Sequence, residues 1–184
     1  MEEHIQRYSR YIHDDLLYVD IDKATYKEHL HKSFEWFACI KLSIQYNSIF
    51  YCWSDISPNI REEKCMPRDM GIDAYDIEGN RVAQMKLYNN RITWLHFATF
   101  LGCCYKFKDA DKILYRNTES RLVPLIKSYI EDNTIIDHTI ADIEFRNECK
   151  TIKESTYPIN DEEIEEIIIR DYQQEAIKCI ENAK

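Results

Sequence analysis

Asp73, Gln84 and Lys86 put a carboxylate, an amide and an ammonium into one short stretch, GIDAYDIEGNRVAQMKLY, residues 71–88. Cleavage of a phosphodiester needs a divalent cation on oxygen ligands, an in-line water and stabilisation of charge on the phosphorus centre. Hard cations of the Mg²⁺ kind take one or two carboxylates, with carbonyl oxygens and waters for the rest. Asp73 would supply the carboxylate from the start of one strand. Gln84 would offer its side-chain carbonyl from the next, with the backbone carbonyl of Met85 beside it. Side chains alternate along a strand, so Gln84 and Lys86 share a face, and Lys86 can orient the water and offset phosphate charge. The opposing reading is a solvated strand edge with Asp73 as a turn acid beside Gly71.

Such a set requires a hairpin. Residues 72–77 read as one strand and 81–88 as the next, with Gly79-Asn80 supplying positive φ for a tight turn. Upstream, residues 24–46 carry Leu30, Phe34, Phe37, Ile40 and Ile44 at spacings of three and four, the stripe of an amphipathic helix. Residues 49–53 suggest a strand and 54–70 a polar loop. Downstream, 92–106 read as a buried helix, 112–116 as a strand, 119–131 as a helix and 134–145 as an alternating strand. The order describes an α/β domain with a central mixed sheet flanked by helices. Residues 1–23 read as an N-terminal extension, 147–163 as a linker, and 164–184 as a renewed helix.

The bulk numbers suit a single domain: 184 residues, 45% hydrophobic, with 13 Tyr, 7 Phe and 3 Trp for the core. Three Gly and 4 Pro argue against disorder and against a Gly-rich nucleotide loop. No apolar leader and no membrane-length run is visible, so neither a signal peptide nor a membrane partner is expected. The 7 Cys are odd in number and lack CxxC spacing, which points to buried thiols in a reducing, intracellular compartment. A net charge of −9 speaks against a generally basic nucleic-acid binder. Residues from 151 onward carry −5 of it, leaving room for a local basic face earlier in the chain. The histidines offer no metal site. His29 and His31 stand about 200° apart on a helix, His96 reads as a core histidine, and His138 lacks zinc-ligand spacing.

Asp73, the hairpin and Gln84-Met85-Lys86 together resemble the D…(D/E/Q)xK core of the PD-(D/E)xK nuclease superfamily. The wording R-D-M-G-I-D…G…Q-M-K-L-Y is most similar to its Mrr-like restriction endonuclease branch. The resemblance covers roughly residues 24–145 and implies a restriction-endonuclease-like fold with Mg²⁺ or Mn²⁺ as cofactor and DNA as partner. It also implies an acid on the preceding helix, a position filled by Glu35 in FEWFACIKLS, as a metal or water ligand. Arg68 and Tyr88 become DNA or phosphate contacts, and Asp69 a loop acid at a position often acidic in such enzymes.

A second resemblance lies in the tail. Arg170, Tyr172, Gln173, Glu175, Ala176 and Ile177 form R-x-Y-Q-x-E-A-I, similar to the segment that opens superfamily 2 helicase motors. There a glutamine matching Gln173 reads the adenine edge, with an aromatic such as Tyr172 nearby. The chain holds no G-x-x-x-x-G-K-[ST], so ATP is expected only of a longer protein in which these residues begin the motor. The bland reading is a C-terminal amphipathic helix. Abundant Ile, Asn, Lys and Tyr suit an AT-rich genome such as that of a large DNA virus. Three functions follow as expectations: a DNA endonuclease at the head of a helicase, a silent nuclease-fold module that positions DNA or a partner protein, or a Holliday-junction-resolvase-like nuclease acting as a homodimer.

Overall fold

The computed structural model describes residues 1–64, 66, 71–107 and 109–155. Arg68, Asp69, Tyr172 and Gln173 lie outside them, as does the expected helix over 164–184. The chain is α/β: a five-stranded mixed sheet with helices on both faces. Helix α1 is Glu2–Leu16, and a π-helical turn Tyr26–Leu30 leads into α2, His31–Tyr46. Strand β1, Phe50–Cys52, is followed by a short helix α3, Pro58–Glu63, capped by Ser57. Then come β2 (Ala74–Asp76), β3 (Arg81–Lys86), α4 (Trp94–Cys104), β4 (Asp111–Asn117), α5 (Pro124–Asp132), β5 (Ile136–Ile140) and α6 (Asp142–Glu154).

Strands lie in the sheet in chain order. The pairs β1–β2 and β2–β3 are antiparallel, whereas β3–β4 and β4–β5 are parallel. β3 is therefore the strand at which the sheet changes hand, and each parallel neighbour is reached through a helical crossover, as parallel pairing demands. Its burial from Val82 to Met85 is continuous, as expected of a strand covered on both faces. Two cores result. Ala83, Met85, Ile113 and Tyr115 pack with α1, α2 and α6; Val82, Leu114, Phe97, Phe100, Ile126 and Ile130 pack on the α4–α5 side.

Three expectations are corrected. Residues 1–23 are no loose extension: Tyr8, Ile12 and Leu16 of α1 are fully buried, one helical turn apart, against α2 and α6. The linker placed from 147 begins as helix, because Phe145 and Cys149 continue one buried face of α6. The alternating strand over 134–145 stops at Ile140, and Asp142 and Glu144 sit in the first turn of α6, where the helix dipole favours acids.

The hairpin turn also differs from expectation. Four residues, Ile77 to Asn80, connect β2 to β3, and of the Gly79-Asn80 pair Asn80 alone takes positive φ, at 49°. Gly79 leaves room for a side-chain pair: a Cβ there would lie 1.8 Å from Arg81 Nη1 and 2.2 Å from Asp76 Oδ2 and would push that pair aside. Those two groups form an ion pair of 2.7 Å over the glycine, and the Gly79 N–H donates to Asp76 Oδ1 at 2.8 Å. The pair locks the register that sets Gln84 and Asp73 across from each other.

Candidate active site

Asp73 precedes β2 and extends its ladder. Its N–H donates to the Ala83 carbonyl at 2.9 Å, and its own carbonyl accepts from Trp53 N–H at 2.8 Å. Beyond that point the two strands part, and the Asp73 carboxylate takes over the pairing: Met85 N–H donates to Oδ2 at 2.5 Å. Within a strand the N–H and C=O of one residue point to the same edge. The Met85 carbonyl therefore faces the same opening, one step past the last paired residue of β2.

Gln84 is buried to 1% exposure on a strand otherwise apolar in its middle. Its Nε2 donates to the Gly71 carbonyl at 3.2 Å, which fixes the amide so that Oε1 faces the other way. That oxygen is buried and has no hydrogen-bond partner among the described residues. An orphaned buried carbonyl is costly, on the order of 1–3 kcal/mol, and rare enough in folded proteins to require a reason. Gly71 is shaped for this role. It sits at φ 110°, and a Cβ would stand 3.0 Å from Phe100 N and 3.1 Å from Thr99 C of α4. Only glycine lets the segment press against the helix and aim its carbonyl at Gln84.

Among the described residues no three His, Cys, Asp or Glu side chains gather as a metal cluster. A cation here would rest on one carboxylate and neutral carbonyls: Asp73, Gln84 Oε1 and the Met85 backbone. That donor set fits a hard divalent ion completed by water and substrate oxygens, and it suits neither zinc nor copper.

Lys86 closes β3, half-buried, with Nζ 5.9 Å from the centroid of the Tyr88 ring and no ion-pair partner among the described residues. Its backbone is held from a distance. Ser120 Oγ accepts from Tyr88 N–H at 2.7 Å and lies 3.1 Å from the Lys86 carbonyl. Asn117 Oδ1, at the end of β4, accepts from Tyr88 N–H at 3.2 Å and sits against the same hydroxyl. Asn117 and Ser120 are fully buried. They form a polar clamp that sequence reasoning missed, since a loop serine gives no sign of burial.

Comparison with known protein families, curated proteins and solved structures finds no match.

Glu35 sits apart from this set. It lies on α2, which covers the Ala83–Met85 face, whereas Gln84 shares the opposite face with Val82 and Leu114. Its carboxylate contacts Lys32 Nζ at 2.6 Å and His31 Nδ1 at 3.4 Å. Burial pushes its pKa up, but the His31 hydrogen bond and the Lys32 charge outweigh that and hold it below the ordinary Glu value. Glu35 thus acts on its surroundings through His31, which reaches the wall of a neighbouring groove.

His96 is no core histidine. It is exposed at the third position of α4, where its Nδ1 accepts from Thr93 N–H at 3.2 Å in a capping box. Its ring lies 5.3 Å from that of Tyr88. His138 is held by Tyr46 Oη at 3.0 Å and Gln45 Nε2 at 3.5 Å, with no metal-ligand company among the described residues. The described cysteines are buried and unpaired in disulfides, Cys39 and Cys52 meeting as thiols at 3.5 Å. No described helix is long and apolar enough to cross a membrane.

Proposed function

We propose that the chain is a metal-dependent DNA endonuclease with a restriction-endonuclease-like fold, placed ahead of an ATP-dependent helicase motor in a longer protein. The observation that carries the reading is the buried Oε1 of Gln84, which has no hydrogen-bond partner among the described residues, on the strand whose next N–H is held by the Asp73 carboxylate. The element order helix, three antiparallel strands, helix, parallel strand is what the D…QxK resemblance calls for. The helicase part rests on the R-x-Y-Q-x-E-A-I wording alone.

Asp73, Gln84 and the Met85 carbonyl would hold Mg²⁺ or Mn²⁺. When bound, such an ion polarises a phosphoryl oxygen and lowers the pKa of a coordinated water. The chain's own groups do the rest. The Asp73 carboxylate stays fixed because Met85 N–H holds one of its oxygens. Gln84 is kept in its ligating orientation by Gly71. Lys86, without an ion-pair partner among the described residues and on the same face as Gln84, would donate to a phosphate oxygen, orient the attacking water and offset the charge that builds in the transition state. The Ser120–Asn117 clamp keeps the Lys86 backbone from drifting.

The test uses the purified chain with plasmid, single-stranded and forked DNA in Mg²⁺ or Mn²⁺, scored for EDTA-sensitive products. Cleavage that disappears in Lys86→Ala and in Asp73→Asn supports the reading. Undiminished cleavage by the double variant sinks it. DNA binding without cleavage under every condition moves the assignment to a silent module that positions DNA for the motor.

A further inference from the structure

We infer that the groove beyond the end of β3 binds an unpaired DNA strand, so that the substrate is single-stranded or branched DNA rather than continuous duplex. The groove encloses about 840 Å³ between the π-helical turn before α2 and the segment after β3. That lies within the roughly 300–1,000 Å³ of pockets for drug-sized ligands, room for about one or two nucleotides. Leu87 and Tyr88, the two residues that follow Lys86 in the chain, form part of its wall, which puts the groove beside the proposed cleavage point.

Its lining has the chemistry of a strand-binding channel. Tyr26, Tyr88, His31 and His96 bring four rings to it, His31 being held by Glu35 at 3.4 Å. Bases in a duplex are already stacked and offer no free face to such rings, whereas unpaired bases do. Lys27 and Arg91 are exposed there without an ion-pair partner among the described residues, placed to meet phosphates. Asn89 and Asn90 add neutral amides suited to base edges. In a chain with 33 Asp and Glu and a net charge of −9, no carboxylate lines this groove among the described residues. Arg146 is spent on structure: it pairs with Asp142 at 2.9 Å, reaches the Ile21 carbonyl, and covers Tyr26 at 5.1 Å from the ring centroid. It thereby fixes the tyrosine in the wall. A smaller hollow of about 390 Å³ shares Lys27 and His31, but Asp15 lines it and its Lys32 is held by Glu35 at 2.6 Å, so the unpaired positive charge stays with the larger groove.

The inference rests on the nuclease reading for the place of the scissile phosphate, but its test does not use cleavage. Fluorescence anisotropy in EDTA compares a labelled oligothymidylate with a hairpin duplex of equal nucleotide count, using the full chain. The strand should bind at least about ten-fold more tightly than the duplex. Tyr88→Leu should weaken strand binding by about five-fold or more, as loss of one stacked base does. Lys27→Ala with Arg91→Ala should flatten the salt dependence by about 1.4 in log–log slope, the release from two phosphates of a single strand. Both of these residues are exposed, so that variant keeps the test sound should Tyr88→Leu fold poorly. Equal affinity for duplex, or a salt slope unchanged in the Lys27/Arg91 variant, overturns the inference. Strand-selective binding without any metal-dependent cleavage upholds the groove and overturns the nuclease; cleavage without strand preference does the reverse.

Discussion

Replacing Gln84 with methionine separates a metal ligand from an ordinary core residue. The two side chains are close in length and volume, so packing changes should stay below about 1.5 kcal/mol. Removing the orphaned Oε1 relieves roughly 1–3 kcal/mol of desolvation, while losing the 3.2 Å bond to Gly71 costs about 0.5–1.5 kcal/mol. In EDTA the variant should therefore be more stable than the parent by about 1 kcal/mol, an increase in Tm of roughly 2–4 °C for a chain of this size. A cation that binds the folded parent reverses the order. At ten times its Kd, Mg²⁺ adds about 1.4 kcal/mol to the parent, a rise of some 3–6 °C, and adds almost nothing to the variant. Differential scanning calorimetry with and without Mg²⁺ reads both effects in the same samples. The reasoning fails if Gln84→Met melts several degrees below the parent in EDTA, or if both proteins gain equally from Mg²⁺.

Lys86→Ala should lower cleavage by about 10²–10⁴, the span of a lost proton-handling or positioning group, while urea unfolding moves by less than about 0.5 kcal/mol because the side chain has no ion-pair partner among the described residues. Ser120→Ala should cost about 1–3 kcal/mol in urea unfolding, since Tyr88 N–H and Asn117 lose a buried partner together. Glu35 has a depressed folded pKa, so its stabilising contribution is complete above the ordinary value of 4.5 and disappears as pH falls through the lower folded value. Glu35→Gln should remove that part of the acid slope; a stability–pH profile unchanged below 4.5 would contradict the assignment. Gly71→Ala should destabilise the fold and also weaken the Mg²⁺-dependent rise in Tm, because the strained backbone and the Gln84 acceptor are one structure.

Much of this architecture could be read from residue order. The stripe of Leu30, Phe34 and Phe37 marked the helix that ends in α2, and the apolar run around Gln84 marked β3, a strand buried on both faces. α1 escaped because its buried face is His4, Tyr8, Ile12 and Leu16: the four-residue spacing is helical, but two members are polar by type. His4 earns its place through Phe50, whose carbonyl lies 3.0 Å from Nε2, a partner 46 positions away that no local pattern reveals. The same holds for the site. Asp73, Gln84 and Lys86 were singled out by residue type and spacing, whereas Asn117 and Ser120 reach Tyr88 and Lys86 only through a parallel register formed in three dimensions. His96 sat among apolar neighbours, yet its position at a helix start turned it into a cap.

The change of hand at β3 has a consequence for the order in which the site is assembled. Asp73–Met85 and Gly71–Gln84 span 12 and 13 positions and close within one hairpin. Ser120 reaches Tyr88 and Lys86 across 32 and 34 positions, after a helical crossover. Loop-closure entropy favours the shorter spans early in folding. The groups proposed as oxygen ligands would therefore come together in the local hairpin, and the Lys86 backbone would be fixed when β4 docks. On the proposed reading, hydrolytic competence would then depend on the parallel half of the sheet being complete, since Ser120 reaches the Lys86 carbonyl only across the β3–β4 pairing.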